Sequence, residues 1–368
     1  MAPALAPMDV EERLSRLRAV MSEAGAQAPV DTLVVTNLTN IRYLTGFTGS
    51  AAVLVAAPDA TSLITDGRYA EQASTQVRAA GAEVTVEIVP GPEQHRRLMA
   101  LLGGTRRVGL EAESITWAQA RRLAERPAET VATAGLVEGL RLVKDRGEVA
   151  RIAAAAAIVD SALAEVGPMI APGITEADLA AELDHRIRLG GAERTSFETI
   201  VASGPNSALP HARPGGRRLE VGDLVVIDVG AIVDGYCSDM TRTFGIGELP
   251  GRSVELYRAV ERAQRAGLAA VRAGAAASAV DAACRQSLEA DGLAEWFTHG
   301  TGHGVGLDIH EAPRVAAGAD ATLAAGSVVT VEPGVYLAGH GGVRIEDTVV
   351  VTDDGCEPLT HSSKAAVS

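Results

Sequence analysis

Leu224-Val225-Val226-Ile227-Asp228-Val229-Gly230-Ala231-Ile232-Val233-Asp234-Gly235-Tyr236-Cys237-Ser238-Asp239 reads as two strands joined by a two-residue turn. An Asp-Gly pair flanked by apolar runs is a strong hairpin signal, because both turn positions need positive φ. With Asp234-Gly235 as the loop, Val233 faces Tyr236 and Gly230 faces Asp239. Side chains alternate along a strand, so Asp228 shares the face of Gly230, and the two carboxylates become diagonal neighbours. Asp228 ends the apolar run Val225-Val226-Ile227 and precedes Val229, which places it in a buried setting. A buried carboxylate without a partner is costly. Gly230, opposite Asp239, is expected to leave room for an ion.

Three more ligand-type residues follow. Glu332 ends the β-branched run Val328-Val329-Thr330-Val331, just before Pro333-Gly334. Glu346 is expected on a strand two residues after Arg344, so that both point the same way and Arg344 can orient the carboxylate. His303 lies in His299-Gly-Thr-Gly-His303-Gly-Val-Gly-Leu-Asp-Ile-His310-Glu311, with three of the chain's eight histidines within twelve positions. The alternating glycines are expected to let the backbone pass close to a ligand and adopt positive φ. This is not the helical H-E-x-x-H arrangement, which disfavours a mononuclear zinc site of that type. The four carboxylates of Asp228, Asp239, Glu332 and Glu346, with the imidazole of His303, suit two divalent cations side by side. About four negative charges meet about four positive ones, leaving a place for a hydroxide between the ions.

The bulk properties narrow the setting. At 368 residues the chain is long enough for two domains. It is 47% hydrophobic and 22% charged but only 3% aromatic, so the core must rest on Val, Leu, Ile and Ala. A net charge of −14 argues against nucleic acid or an anionic membrane as partner. Cys237, Cys284 and Cys356 are odd in number and far apart, so they define no disulfide framework, and a reducing compartment fits. The N-terminus carries no basic start followed by an apolar run, and no apolar stretch reaches membrane-spanning length. A cytoplasmic location is expected.

Along the first third, helix and strand patterns alternate. Helices are expected over 10–24 and 68–80, and strands over 32–35, 51–56, 62–65, 84–89 and 107–110. The pattern shifts near Glu138. Helices are expected over 144–165, with Asp145 at its start, and over 176–189, capped by Thr175. After the hairpin come helices over 253–273 and 279–290, then glycine-rich turns and strands. Two helix-helix-strand blocks, 144–203 and 253–305, have the form of a distant duplication.

Ile227-Asp228-Val-Gly, Ser238-Asp239-Met-Thr-Arg, His299-Gly-Thr-Gly-His303-Gly-Val-Gly-Leu, His310-Glu311, Val331-Glu332-Pro-Gly-Val-Tyr and Val343-Arg344-Ile-Glu346-Asp together resemble the pita-bread metallopeptidases. The branch is that of Xaa-Pro aminopeptidases and Xaa-Pro dipeptidases (prolidases). Arg141-Leu-Val-Lys144-Asp-x-x-Glu148 resembles the opening of that branch's catalytic domain. The resemblance implies an α/β (α+β) chain in two parts. A smaller creatinase-like α/β domain would span 1–137, and a pita-bread catalytic domain, an antiparallel sheet flanked by helices, would span 138–368. It also assigns roles. Asp239 and Glu346 would bridge two metals, Asp228 would bind one of them, and His303 and Glu332 would complete the other. Glu332 would carry the proton, while His211, His299 and His310 would stand at the substrate, with Arg344 behind the ligands. Oxygen-rich ligands with one imidazole favour manganese, with cobalt or zinc able to substitute.

The implied substrates are small peptides with proline at the second position, and the implied assembly is a homodimer. The activity expected is that of an Xaa-Pro aminopeptidase. An Xaa-Pro dipeptidase is the near alternative; a methionine aminopeptidase or a non-catalytic peptide-binding module on the same fold is more remote. Arg42, Tyr43 and Arg68 lie beside loops and are weighed as contacts for a substrate carboxylate against a reading as ordinary surface residues.

Overall fold

The computed structural model describes residues 5–22, 29–125 and 129–364. The chain divides into two compact units, Pro7–Arg141 and a larger one from Leu142 onward.

The N-terminal unit is built on a six-stranded mixed sheet. Across it lie Thr85–Ile88, Thr61–Thr65, Val53–Ala56, Thr32–Val35, Arg107–Glu111 and Glu129–Thr133 in that order. Thr32–Val35 runs antiparallel to Val53–Ala56 and parallel to Arg107–Glu111. The expected strands are all present within a few residues. The helix expected over 10–24 is Arg13–Ser22, and positions 23 and 24 lie outside the described residues. Sequence reading passed over the helix Leu38–Thr45, the strand Glu129–Thr133 and the helix Leu136–Arg141. Leu38–Thr45 carried its signals nonetheless. The Asn37 side chain accepts from the Thr39 N–H, and Gly46 closes the helix at φ 74°. Tyr43 is a core residue here, not a surface contact. It is 1% exposed, donates to the Leu140 carbonyl at 3.0 Å, and has the Arg13 guanidinium over its ring. Arg68 is exposed and paired with Asp66 at 2.9 Å.

In the larger unit the helices follow the capping signals. Asp145 accepts from the Glu148 N–H at the start of Arg146–Val166, and Glu148 returns the contact to the Asp145 N–H. Thr175 caps Glu176–Leu189 by accepting from the Asp178 N–H at 3.0 Å. These two helices share a core with a three-stranded antiparallel sheet of Ile200–Ser203, Leu224–Val229 and Met240–Gly245, through Leu179, Leu183, Ile187, Val225 and Ile227. A second helix pair, Gly251–Ala270 and Ala277–Ala290, shares a separate core with a five-stranded sheet. That sheet contains Gly302–Gly304, Glu311–Val315, Val328–Val331, Asp347–Val351 and Cys356–Pro358. The two sequence blocks are thus two helix pairs, each on its own sheet.

The halves meet along a ladder of crossing bonds. Thr243 Oγ1 donates to the Arg344 carbonyl at 2.8 Å, the Glu346 N–H donates to the Thr241 carbonyl at 3.1 Å, and Thr348 Oγ1 donates to the Asp239 carbonyl at 2.7 Å. No helix among the described residues is long and apolar enough to cross a membrane.

Candidate active site

The opening hairpin has the register its turn dictates. Val233 pairs with Tyr236, and Asp228 with Thr241, around a turn with Asp234 at φ 46° and Gly235 at φ 78°. Asp228 and Asp239 therefore lie on one face as diagonal neighbours. Gly230 serves another purpose than the one expected. A β-carbon there would fall 2.0 Å from both Ser196 Oγ and the Ser238 carbonyl oxygen, so the space belongs to the hairpin's own neighbours, not to an ion.

Gaps between strands place the remaining carboxylates. Asp239 sits in the gap between Tyr236–Cys237 and Met240–Gly245, and Glu332 lies just past Val328–Val331. Glu346 is not on a strand with Arg344, as expected, but in the gap between Gly341–Arg344 and Asp347–Val351. The physical reason is a change of partner. Gly341–Arg344 pairs with Gly334–Leu337, whereas Asp347–Val351 pairs with Val328–Val331. Ile345 and Glu346 must cross between them.

His303 lies on the short strand Gly302–Gly304, which pairs on both sides. Its flanking glycines do not adopt positive φ, contrary to expectation. They admit neighbouring backbone. A β-carbon at Gly302 would fall 2.1 Å from the Thr330 carbonyl oxygen, and one at Gly304 would fall 2.2 Å from that of Ala312.

The nine residues given roles at the metals and the substrate line one cleft of about 730 Å³: His211, Asp228, Asp239, His299, His303, His310, Glu332, Arg344 and Glu346. Asp239, His303 and Glu346 each offer a ligand atom within 4.8 Å of the others. His303 Nδ1 is 3.0 Å from the Gly304 carbonyl oxygen. Donation there leaves Nε2 as a lone-pair acceptor, 3.4 Å from Glu332 Oε1 and 3.6 Å from Asp239 Oδ2. Burial pushes the His303 imidazole down to about 4, helped by His310, so the ring is neutral at physiological pH.

The carboxylates are pushed the other way. Burial first, then Asp228 and Glu332, raise Asp239 well above the usual range; burial and then Asp239 do the same to Glu346. Burial pushes Glu332 up to about 8, against the pull of Arg344 and with the repulsion of Asp228. Asp228 Oδ1 and Glu346 Oε1 are buried with no hydrogen-bond partner. Crowded carboxylates, two orphaned oxygens and an imidazole lone pair fit a cation-binding centre.

Arg344 anchors the floor of the cleft. It donates to Asp228 Oδ2 at 2.6 Å, Thr241 Oγ1 at 3.1 Å, the Tyr336 hydroxyl at 2.9 Å and the Pro210 carbonyl at 3.2 Å. Its direct carboxylate partner is Asp228; Glu346 is reached through Thr241, which donates to Glu346 Oε2 at 2.8 Å. The Tyr336 hydroxyl also meets His299 Nε2 at 2.9 Å, while His299 Nδ1 is 2.8 Å from the Gly300 carbonyl. Burial pushes His299 down to about 4. Both of its nitrogens are engaged within the protein, so it braces Tyr336 and Arg344. His310 packs edge-on to His303, ring centroids 4.3 Å apart, and His211 lies exposed at the rim.

Sequence reasoning missed Thr241, Tyr336 and Asp281 as contributors. Tyr336 and Thr241 stood inside quoted motifs without a role. Asp281, 1% exposed, accepts from the Thr301 N–H at 3.1 Å and pairs with Arg285 at 2.7 Å, and Arg285 donates to the His299 carbonyl. A lone Asp on a helix gave no signal of this.

Residues 150–353 match the model of metallopeptidase family M24, and residues 13–143 that of the creatinase/prolidase N-terminal domain. An uncharacterized peptidase of Bacillus subtilis, YqhT, is 40% identical over 357 residues, covering 96% of this chain and 99% of its own. Among solved structures, an Xaa-Pro dipeptidase from Bacillus anthracis is 40% identical with a TM-score of 0.91, over 98% of this chain and 99% of that one. An X-Pro aminopeptidase from Thermotoga maritima is 34% identical with a TM-score of 0.86, over 96% and 99% respectively.

Proposed function

The chain belongs to metallopeptidase family M24, and from that premise we propose that it is an Xaa-Pro aminopeptidase, releasing the N-terminal residue ahead of proline. The observation that carries the proposal is the cleft itself, with its crowded carboxylates, its neutral His303 and the unpartnered Asp228 Oδ1 and Glu346 Oε1. In this reading Asp228, Asp239, His303, Glu332 and Glu346 would together hold two divalent cations. Manganese suits a set of oxygens with one imidazole nitrogen. When bound, the cations would acidify a water and polarise the scissile carbonyl.

The chain's own residues do the rest. Glu332 takes the proton from the attacking water and delivers it to the proline nitrogen, which as a tertiary amide carries no N–H of its own. His310 and His211 hydrogen-bond the carbonyl oxygen as it gains charge. Arg344 holds Asp228 in place, and His299 holds Tyr336 against Arg344. Phe197, Ile200 and Ile309 give the cleft an apolar wall for the substrate.

A dipeptidase is the second reading, favoured by Arg213 and Arg314 in the same cleft. Either cation suits a proline carboxylate one residue beyond the scissile bond. The test is kinetics of the manganese-loaded protein on Ala-Pro, Ala-Pro-Ala and a longer Xaa-Pro peptide, with Ala-Ala-Ala and Met-Ala-Ser as controls. Cleavage of Ala-Pro-Ala and the longer peptide is expected; cleavage of Ala-Pro alone would establish the dipeptidase. Preference for Met-Ala-Ser, or less than about one bound ion per chain after manganese incubation, would sink both. The homodimer belongs to the same proposal and is tested by light scattering.

A further inference from the structure

His211 sits on the segment 204–214, between the strand Ile200–Ser203 and Gly215. Both ends of that segment converge on one fully buried carboxylate, Glu176, at the start of the helix Glu176–Leu189. Glu176 Oε1 accepts from the Ser203 N–H at 2.8 Å, Ser203 Oγ at 2.7 Å and Asn206 Nδ2 at 3.0 Å. Glu176 Oε2 accepts from the Gly215 N–H at 3.2 Å and Asn206 Nδ2 at 3.2 Å. The backbone reinforces the clamp, with the Ala177 N–H donating to the Gly215 carbonyl at 3.0 Å. Mid-segment, the Pro210 carbonyl accepts from Arg344, and Ser207 Oγ accepts from the Gly342 N–H at 2.8 Å.

We propose that Glu176 is a positioning residue for catalysis, fixing the two ends of the 204–214 segment so that His211 faces the cleft. This rests on the reading of His211 as a substrate-facing group. An ionised carboxylate has only acceptor sites, and here all its neighbours are donors. A glutamine would turn an NH₂ group toward one of the two ends, whichever way the amide lay, and release that end. His211 would then shift, and a displacement of about 1 Å from productive geometry costs on the order of 100-fold in rate.

The experiment is a double-mutant cycle on the manganese-loaded, full-length protein with Ala-Pro-Ala, using Glu176→Gln, His211→Ala and the pair. Glu176→Gln is expected to lower kcat by roughly 10- to 100-fold, with KM and bound metal unchanged. In the His211→Ala background the same change should cost less than about twofold, because the group being positioned is gone. Equal losses in both backgrounds, or loss of metal in Glu176→Gln, would overturn the proposal. So would native kcat in Glu176→Gln beside an impaired His211→Ala, which leaves the role of His211 standing. Native kcat in His211→Ala instead removes that role and this proposal with it. If Glu176→Gln does not fold, Asn206→Ala, which deletes two of the five bonds, is held to the same coupling criterion.

Discussion

Removing the cations should make the protein lose stability as pH rises through neutrality. Glu332 is the measurable case, its carboxyl raised from 4.5 to about 8 in the folded protein. Below pH 4.5 it is protonated in both folded and unfolded chains. Between 4.5 and 8 the unfolded chain releases the proton and the folded one keeps it, so stability falls with pH. The buried histidines titrate in the opposite sense, from 6.5 to about 4, and add stability as pH rises across that range. Above pH 6.5 that opposing gain fades as the unfolded chain's histidines finish losing their protons, so pH 6.5 to 8 is the window in which the carboxyl dominates. Over that interval Glu332 alone accounts for about 1–2 kcal/mol, at about 1.4 kcal/mol per pH unit. Asp239 and Glu346 are raised for the same reasons and act in the same direction. Bound cations remove the repulsion, so the metal-loaded protein should lack this decline. Urea unfolding at pH 6.5, 7.25 and 8, with chelator or with excess manganese, measures both curves. A chelated protein whose stability is flat or rises over that interval, or a metal-dependent gap that does not widen, would refute the electrostatic account.

The same centre yields sharper perturbations. Asp239→Asn should abolish Ala-Pro-Ala cleavage and metal retention by elemental analysis, while chelated Asp239→Asn should be more stable at pH 8 than chelated wild type, having one carboxylate fewer to crowd. Arg344→Met leaves Asp228 Oδ2 and the Tyr336 hydroxyl without their shared donor, and should cost about 3–5 kcal/mol in chelated protein, and less with metal, by urea unfolding. Gly302→Ala drives a β-carbon against the Thr330 carbonyl, so a loss of about 1–3 kcal/mol and weaker metal retention are expected from melting and elemental analysis. His310→Ala should cut kcat with both metals still bound; an unchanged kcat would remove His310 from the mechanism.

What the sequence disclosed was wherever local rules fix geometry. Asp234-Gly235 determines the hairpin register, and the register determines that Asp228 and Asp239 share a face. Asp145 and Thr175 mark helix starts because a side chain must satisfy the first N–H groups. Partner exchange between sheets was not legible. No local signal in Val343-Arg344-Ile345-Glu346 says that the chain leaves one partner strand for another at Ile345, so Glu346 was expected on a strand. The glycines around His303 were noticed for the right reason, close approach, but the approaching group is backbone and their φ is ordinary. Tyr336, Asp281 and Glu176 act through contacts distant in sequence, and a single buried Tyr, Asp or Glu looks the same in sequence whether it braces a site or a loop.

The placement of the ligands has an energetic consequence. Asp228 and Asp239 come from the half whose core lies under Leu224–Val229, whereas His303, Glu332 and Glu346 come from the half built on Gly251–Ala270 and Ala277–Ala290. The halves are joined between residues 239–243 and 344–348 by a ladder of neutral bonds and by the buried Arg242–Asp347 ion pair at 2.8 Å. That ladder brings four carboxylates into one cleft, where burial first and then their mutual repulsion push three of them toward protonation. Arg344 offsets one charge by pairing with Asp228, and it does so from the strand that completes the ladder. Part of that repulsion lies across the seam, Asp228 against Glu332 and Asp239 against Glu332 and Glu346, where cations would bind. Cation binding and closure of the seam should therefore be thermodynamically linked, each strengthening the other by the same amount. Charge at the site is in this sense a folding term as much as a catalytic one.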